Sequence, residues 1–316
     1  MIRREQPQSS IVDAFVNVSN YRNRTLDAVE TAVDWTPIRQ NIERLYRRTG
    51  PGRPAFPALT LFKALLIQQW HNLSDPGLEE ALADRLSFRR FCGLRLEDKV
   101  PDHSTVHRFR DRIAPIMKSL LAEINRQLDA QHLILRQGTL IDATLIQAAA
   151  HPVSKDEAAP VDPDARWGGK EDHLIYGYKG HIGLDEGSEL IRQAKFTPAN
   201  EHDGGSFEAL VSGDEAVVYA DKAYASQDRS DWLRDRGIED GILFKAARGR
   251  DLTAIQKLIN QELTAIRRNV EHVFGTMKRI YSWRRSRYFN LERNRCSFFV
   301  LCSAYNLKRT IKLQAA

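Results

Sequence analysis

Thr139-Leu140-Ile141-Asp142-Ala143-Thr144-Leu145-Ile146 is a short, mostly apolar run with one carboxylate in its middle. Gly138 precedes it, and Ala148 to His151-Pro152 follow, so it reads as a buried strand bounded by turn signals. A desolvated carboxylate is costly unless a hydrogen bond, a cation or a metal ion compensates it. The stretch alone leaves two readings open: a strand-end aspartate capping a turn, or a metal ligand with partners elsewhere. Upstream the pattern is helical throughout; downstream strands and helices alternate. Asp142 stands at that seam.

A chain of 316 residues is too long for one ordinary core. The expected division is an all-α domain over residues 1–135 and an α/β domain over 136–316. Charged residues at 28% and hydrophobic ones at 42% exclude a disordered or membrane-embedded chain. The three cysteines, Cys92, Cys296 and Cys302, include no CxxC pair. That usage fits a reducing compartment and argues against a disulfide framework or a thiolate zinc site. No apolar run is long enough to span a bilayer, and the polar first residues have no signal core behind them. The expected location is cytoplasmic, with no membrane partner. A net charge of +6 points to a polyanionic partner, with the distribution of the charge mattering more than its total.

In chain order, a polar arm to about residue 25 precedes helical periodicity from Leu26 to Arg48. Gly50-Pro51-Gly52-Arg53-Pro54 breaks it. Leu59 to Trp70 is a strongly apolar helix. Asp75-Pro76 opens another in the favoured way, a cap followed by proline. After Pro101, Asp102 or Ser104 caps a helix, Thr105 to Ile113, bearing His107, Arg108, Arg110 and Arg112. Two short helices with a basic second one resemble a helix-turn-helix, although a basic helix face can also be simply solvated. Pro115 to Gln131 completes the helical region. Beyond the Asp142 strand, Ser154 to His173 reads as a loop. Tyr176 to Leu184 and Leu190 to Thr197 read as a hairpin, and Ala216 to Ala220 as a strand ending on Asp221. Ser206 to Val211 and Ser226 to Arg236 read as helices, Gly241 to Phe244 as a strand. Long helices follow over Thr253 to Tyr281 and Asn290 to Lys312. Three strands in hairpin succession followed by alternating helices and strands is the ribonuclease-H-like order: a mixed sheet flanked by helices.

In that order the strands of Asp142 and Asp221 are central neighbours, and strand ends in an open sheet are where ligands bind. The long helix offers Glu271. Three oxygen donors without His or Cys suit Mg²⁺ or Mn²⁺, and two such ions serve phosphoryl transfer. Arg267, Glu271 and Lys278 are spaced i, i+4, i+11 and share a narrow face of the helix. An ordinary i, i+4 ion pair accounts equally well for the first two. Cations continue through Arg279, Arg284, Arg285 and Arg287, interleaved with Tyr281, Trp283 and Tyr288, a composition suited to phosphates and stacked bases. His103 and His107 lack a third ligand. Glu201-His202-Asp203 before Gly204-Gly205 reads better as a turn than as part of the site. There is no Walker-type loop, so nothing points to ATP.

These motifs are similar to those of bacterial insertion-sequence transposases of the DDE type, specifically the insertion-sequence-five family. In the first domain the likeness lies in Leu73 to Phe91 and in Pro101-Asp-His-Ser-Thr-Val-His-Arg-Phe-Arg110. In the second it lies in Leu140-Ile-Asp-Ala-Thr144, Asp162-Pro-Asp-Ala-Arg-Trp167, Tyr176-Gly-Tyr-Lys-Gly-His181, Tyr219-Ala-Asp-Lys-Ala-Tyr224, and Arg268-Asn-Val-Glu-His-Val-Phe-Gly-Thr-Met-Lys-Arg279. The resemblance implies a catalytic, metal-holding triad of Asp142, Asp221 and Glu271. The related signature Tyr-x₂-Arg-x₃-Glu-x₆-Lys matches at Arg267, Glu271 and Lys278, with Thr264 in place of its tyrosine. Ala223 stands where glycine is commoner.

The implied function is metal-dependent cleavage at the element's ends and transfer of the freed 3′-hydroxyl into target DNA, with two Mg²⁺ or Mn²⁺ ions. The implied partners are double-stranded terminal inverted repeats, target DNA and a second copy of the chain. Expected DNA contacts are Arg267, Lys278, Arg279, Arg284, Arg285 and Arg287, with Arg108, Arg110 and Arg112 in the first domain. Two rivals remain: a transposase-derived regulator without catalysis, and a nuclease of the same fold that never joins strands.

Overall fold

The computed structural model describes residues 22–46, 55–150, 162–169, 174–246 and 249–315. The expected arm up to residue 21, the Gly50–Pro54 break and most of the Ser154–His173 loop lie outside the described residues. Two units emerge, one through Gln131 together with Phe299 onward, the other His132–Phe298.

The first unit is helical, as expected. Leu26 to Arg48 is two helices rather than one: α1 (Arg24–Ala32) and α2 (Trp35–Glu43). Asp34 divides them, its backbone extended and its carboxylate accepting from the Thr36 N–H at 2.9 Å. The apolar α3 (Ala58–His71) is buried along nearly its whole length. In α4 (Asp75–Asp84) the cap is Ser74, with Asp75 inside the first turn, one position later than the Asp-Pro pair suggests. The short α5 (Leu86–Phe91) precedes α6 (His103–Ile113), which Asp102 caps through the Thr105 N–H at 2.6 Å. Then comes α7 (Met117–Ala130).

The last residues of the chain join this unit, so the expected boundary at 135/136 misses one element. Trp70 donates to the Ala304 carbonyl at 2.8 Å, and Asn306 to the Asn125 side chain at 2.8 Å. Both bonds are buried, where an unpaired amide or indole N–H is expensive.

The second unit carries β1 (Gly138–Gln147), β2 (Arg166–Gly168), β3 (Ile175–Asp185), β4 (Ile191–Pro198), β5 (Val217–Ala220), α8 (Gln227–Arg234), β6 (Glu239–Ile242) and the long α9 (Ala254–Ile280). The first part of α10 (Leu291–Gln314) belongs here too. In the sheet, β3 pairs antiparallel with β1 on one edge and with β2 and β4 on the other. On the far side of β1, β5 and then β6 run parallel to it. This is the mixed order expected from the sequence. The expected helix at Ser206–Val211 is instead two 3-10 turns, Asp203–Ser206 and Glu208–Leu210.

The strand β2 was unreadable, yet its segment anchors the last helix. Asp162 is fully buried; its carboxylate accepts from the Tyr178 hydroxyl at 2.7 Å and the Asn290 N–H at 3.1 Å. Asp164 accepts from the Leu291 N–H at 2.8 Å. Two aspartates thus take the orphan donors at the start of α10 and oppose its dipole. Asp162→Ala is expected to cost about 2–4 kcal/mol in urea unfolding, because both donors lose a charged acceptor. A loss below about 1 kcal/mol would mean that solvent replaces it.

Close approach explains Gly180: a Cβ there would lie 2.5 Å from the Trp283 ring. Trp283 in turn stacks on Phe298, with centroids 4.7 Å apart. Tyr281 and Trp283, read above as stacking platforms for bases, are 4% and 7% exposed and belong to the core.

Candidate active site

Register brings the two aspartates together. Ile141 of β1 lies opposite Ala220 of parallel β5, so Asp142 and Asp221 are the next pair along adjacent strands. Past this point β5 ends in a 3-10 turn, Lys222–Tyr224, and the Asp221 carboxylate accepts from the Lys222 N–H at 2.7 Å. Ala223 lies within that turn and is not among the residues with positive φ, so alanine is unstrained where glycine is commoner.

The helix α9 packs against β1 and β5 through Val270, Val273, Phe274 and Met277, and at the edge of that face it inserts Arg267. The guanidinium lies 3.8 Å from Asp142 and 3.8 Å from Asp221. Only 7% of Arg267 is exposed, and its Nε has no hydrogen-bond partner in the protein. Arg267, expected from the sequence as a DNA contact, is buried here beside the two carboxylates rather than on the surface. Helical phase identified the face but not what stood opposite it.

Burial pushes the Asp142 carboxyl up to about 6. The Ala143 N–H and Arg267 oppose the rise, whereas the charges of Asp221 and Asp203 add to it. Glu271, one turn beyond Arg267, is exposed. Among the described residues no three His, Cys, Asp or Glu side chains already stand at metal-holding distance. The structure brings Asp142 and Asp221 together and leaves Glu271 at the rim.

Lys278 is half-buried, and its ammonium is held below the ordinary lysine range by burial and by Arg284, with Asp142 opposing. The basic segment after α9 is tied to the end of β1: Gln147 donates to the Arg284 carbonyl at 3.1 Å, and the Ser286 N–H to the Gln147 carbonyl at 2.7 Å. Arg279 and Arg284 are exposed. Arg285 donates to the Ala148 carbonyl at 3.0 Å and to that of Ala149, and Arg287 is half-buried. In the helical unit, Arg110 is 2% exposed and bound to Asp75 at 2.6 Å and Gln68 at 3.1 Å. It sits in a buried ion pair rather than on the surface. Arg108 and Arg112 do face solvent, in a cleft of about 350 Å³ shared with Lys99, Tyr46 and Phe56.

A family described as "Transposase domain" matches residues 14–112. A cryo-EM structure of a piggyBac transposase synaptic complex with hairpin DNA overlaps at 10% identity and TM-score 0.38, covering 93% of this chain and 77% of that one. The family described as "Transposase DDE domain" matches residues 134–307, from before β1 into the last helix and more than half of the sequence. The chain belongs to the transposases that carry a DDE domain.

Proposed function

We propose that this chain is an insertion-sequence transposase, of the insertion-sequence-five kind its motifs resemble, that cleaves DNA at the element's ends and joins the 3′-hydroxyl to target DNA. The observation that carries the reading is Arg267 between Asp142 and Asp221. Two carboxylates carried by adjacent parallel strands already share one cation, and burial penalises the charge of Asp142. The donor set fits a divalent metal: hard oxygens, an excess of negative charge once Arg267 moves aside, and a third carboxylate one turn away. Divalent ions held by Asp142, Asp221 and Glu271 would supply Lewis-acid stabilisation of phosphoryl oxygens.

The chain's own groups supply the rest. Lys278, which feels the charge of Asp142, neutralises a scissile phosphate together with its neighbour Arg284. Arg279 and Arg284 hold the adjoining backbone by charge. Arg108 and Arg112 line a cleft that receives the terminal repeats. Two copies of the chain, one for each end, complete the assembly. Among the described residues no helix is long and apolar enough to cross a membrane.

The test is cleavage of DNA carrying the element's ends. Activity is expected with Mg²⁺ or Mn²⁺ and none in EDTA; full activity in EDTA would end the proposal. Joined products in the same reaction separate a transposase from a nuclease of this fold. Cleavage that persists in metal separates it from a silent regulator. In the full chain, Arg108→Ala with Arg112→Ala is expected to weaken end binding and reduce the salt slope by about one to two. An unchanged slope in a filter-binding titration would move end recognition out of this cleft.

A further inference from the structure

Asp203 opens the 3-10 turn after β4, and the sequence reads it as a turn residue. Its turn packs against the Lys222–Tyr224 turn that follows Asp221. Its charge acts on Asp142 alongside that of Asp221. Its Oδ1 lies 2.9 Å from the Lys179 ammonium but is buried and accepts no hydrogen bond from the protein. The turn is pinned: a Cβ on Gly204 would lie 2.2 Å from the Arg229 guanidinium, and Arg229 donates to the Tyr224 carbonyl at 2.8 Å.

Two further residues with buried polar atoms feel the charge of the same carboxylate. Tyr224 is 1% exposed, its hydroxyl has no partner in the protein, and Asp203 is the charged group that acts on it most. His181 is fully buried, and Asp203 is again the leading charge upon it. Its tautomer follows from its neighbour. The Thr197 hydroxyl donates to the Pro198 carbonyl at 3.1 Å, so at its 2.9 Å contact with His181 Nε2 it accepts. The His181 Nδ1 therefore carries a lone pair, and no donor in the protein meets it. A hydroxyl donor and a ring-nitrogen acceptor, both buried and unpaired, together with a buried carboxylate oxygen that the Lys179 ammonium meets as an ion pair, form a seat for a water molecule. Unsatisfied buried polar groups are otherwise rare and costly.

We infer that Asp203 is a fourth acidic residue of the active site, which with Tyr224 and His181 seats the hydration water of the cation held at Asp142 and Asp221. Asp203 is then a positioning residue: it acts on the metal through water. The inference rests on Asp142 and Asp221 being metal ligands, and the experiment separates the two.

Mn²⁺ binding to the full chain without DNA is measured by electron paramagnetic resonance of the free ion. Wild type is compared with Asp203→Asn, Tyr224→Phe and Asp142→Asn, and each variant is melted in EDTA as a control for folding. Asp203→Asn and Tyr224→Phe are expected to weaken Mn²⁺ by roughly 10–100-fold, the usual cost of losing an outer partner of a metal site. Asp142→Asn is expected to abolish saturable binding. Tyr224→Phe keeps the ring in its core, so its result stands even if Asp203→Asn folds poorly. Wild-type affinity in Tyr224→Phe overturns the water seat, whatever Asp203→Asn does. Wild-type affinity in Asp142→Asn overturns the underlying reading of the site instead.

Discussion

Asp142→Asn is expected to reduce end cleavage by about 10³-fold or more and, at neutral pH without metal, to make the protein harder to unfold. The first effect follows from charge. Asparagine keeps the shape and the acceptor for the Ala143 N–H at 2.9 Å, but it cannot draw a divalent cation onto β1. Groups that act as one unit on transition-state charge carry penalties of this size when removed singly. The second effect follows from linkage. Burial holds the Asp142 carboxyl at about 6, above its unfolded value, so the folded state prefers the protonated form. This group's contribution is fully present below about pH 4 and is lost as pH rises through about 6. Its ionisation at pH 7 costs roughly 2–3 kcal/mol, which asparagine does not incur. Melting in EDTA from pH 4 to 8 checks this. Wild type is expected to lose stability across that interval and the variant to be flatter, crossing above wild type near neutrality. A variant that melts lower at every pH would make Asp142 a structural carboxylate compensated by Arg267, and the metal reading would lose its main support.

How much of this was legible in the sequence depended on whether the answer lay within one element or between two. Short apolar runs placed β1 and β5, and the positions of Asp142 within the first and Asp221 at the end of the second needed nothing more. The phase of α9 identified the shared face of Arg267, Glu271 and Lys278, because a helix fixes its own geometry. What faced Arg267 did not follow from phase. A guanidinium turned to a phosphate and one turned to two aspartates have the same spacing in sequence. Arg110 shows the same ambiguity: its partner, Asp75, is on another helix. Tyr281 and Trp283 looked like base-stacking residues because aromatic and basic residues alternate there, and only Phe298, in the following helix, shows otherwise. Asp162 and Asp164 sat in a segment without periodicity, so their role at the start of α10 had no local signal beyond the residues themselves. Asp203 was concealed by its glycines, which read as a turn and do form one. Turn and site coincide there, and composition cannot separate them.

Glu271→Gln is expected to lower cleavage by roughly 10²–10³-fold while Glu262→Gln leaves it unchanged. Several acids follow Asp221, and the structure gives two of them other employment. Asp231 is paired with Arg234 and accepts from Gln227 at 3.0 Å. Asp240 accepts from the Ser230 hydroxyl at 2.5 Å and the Ile242 N–H at 2.9 Å. Glu262 and Glu271 share α9, but nine positions place them about 180° apart around the axis. Arg267 fixes which side matters. It touches both aspartates, and Glu271 lies about 40° from it, one turn on, with Lys278 only about 20° away. Asp142 registers on Lys278 as well, so the acidic pair and this face of the helix sense each other's charge. Glu271 is the carboxylate on this face that joins the aspartates once Arg267 yields its place. Both glutamates are exposed, so neither substitution should move stability by more than about 0.5 kcal/mol. Cleavage and melting of the two variants side by side decide the matter. An inactive Glu262→Gln beside an active Glu271→Gln would transfer the third ligand to the opposite face, and Arg267 would then mark the back of the site.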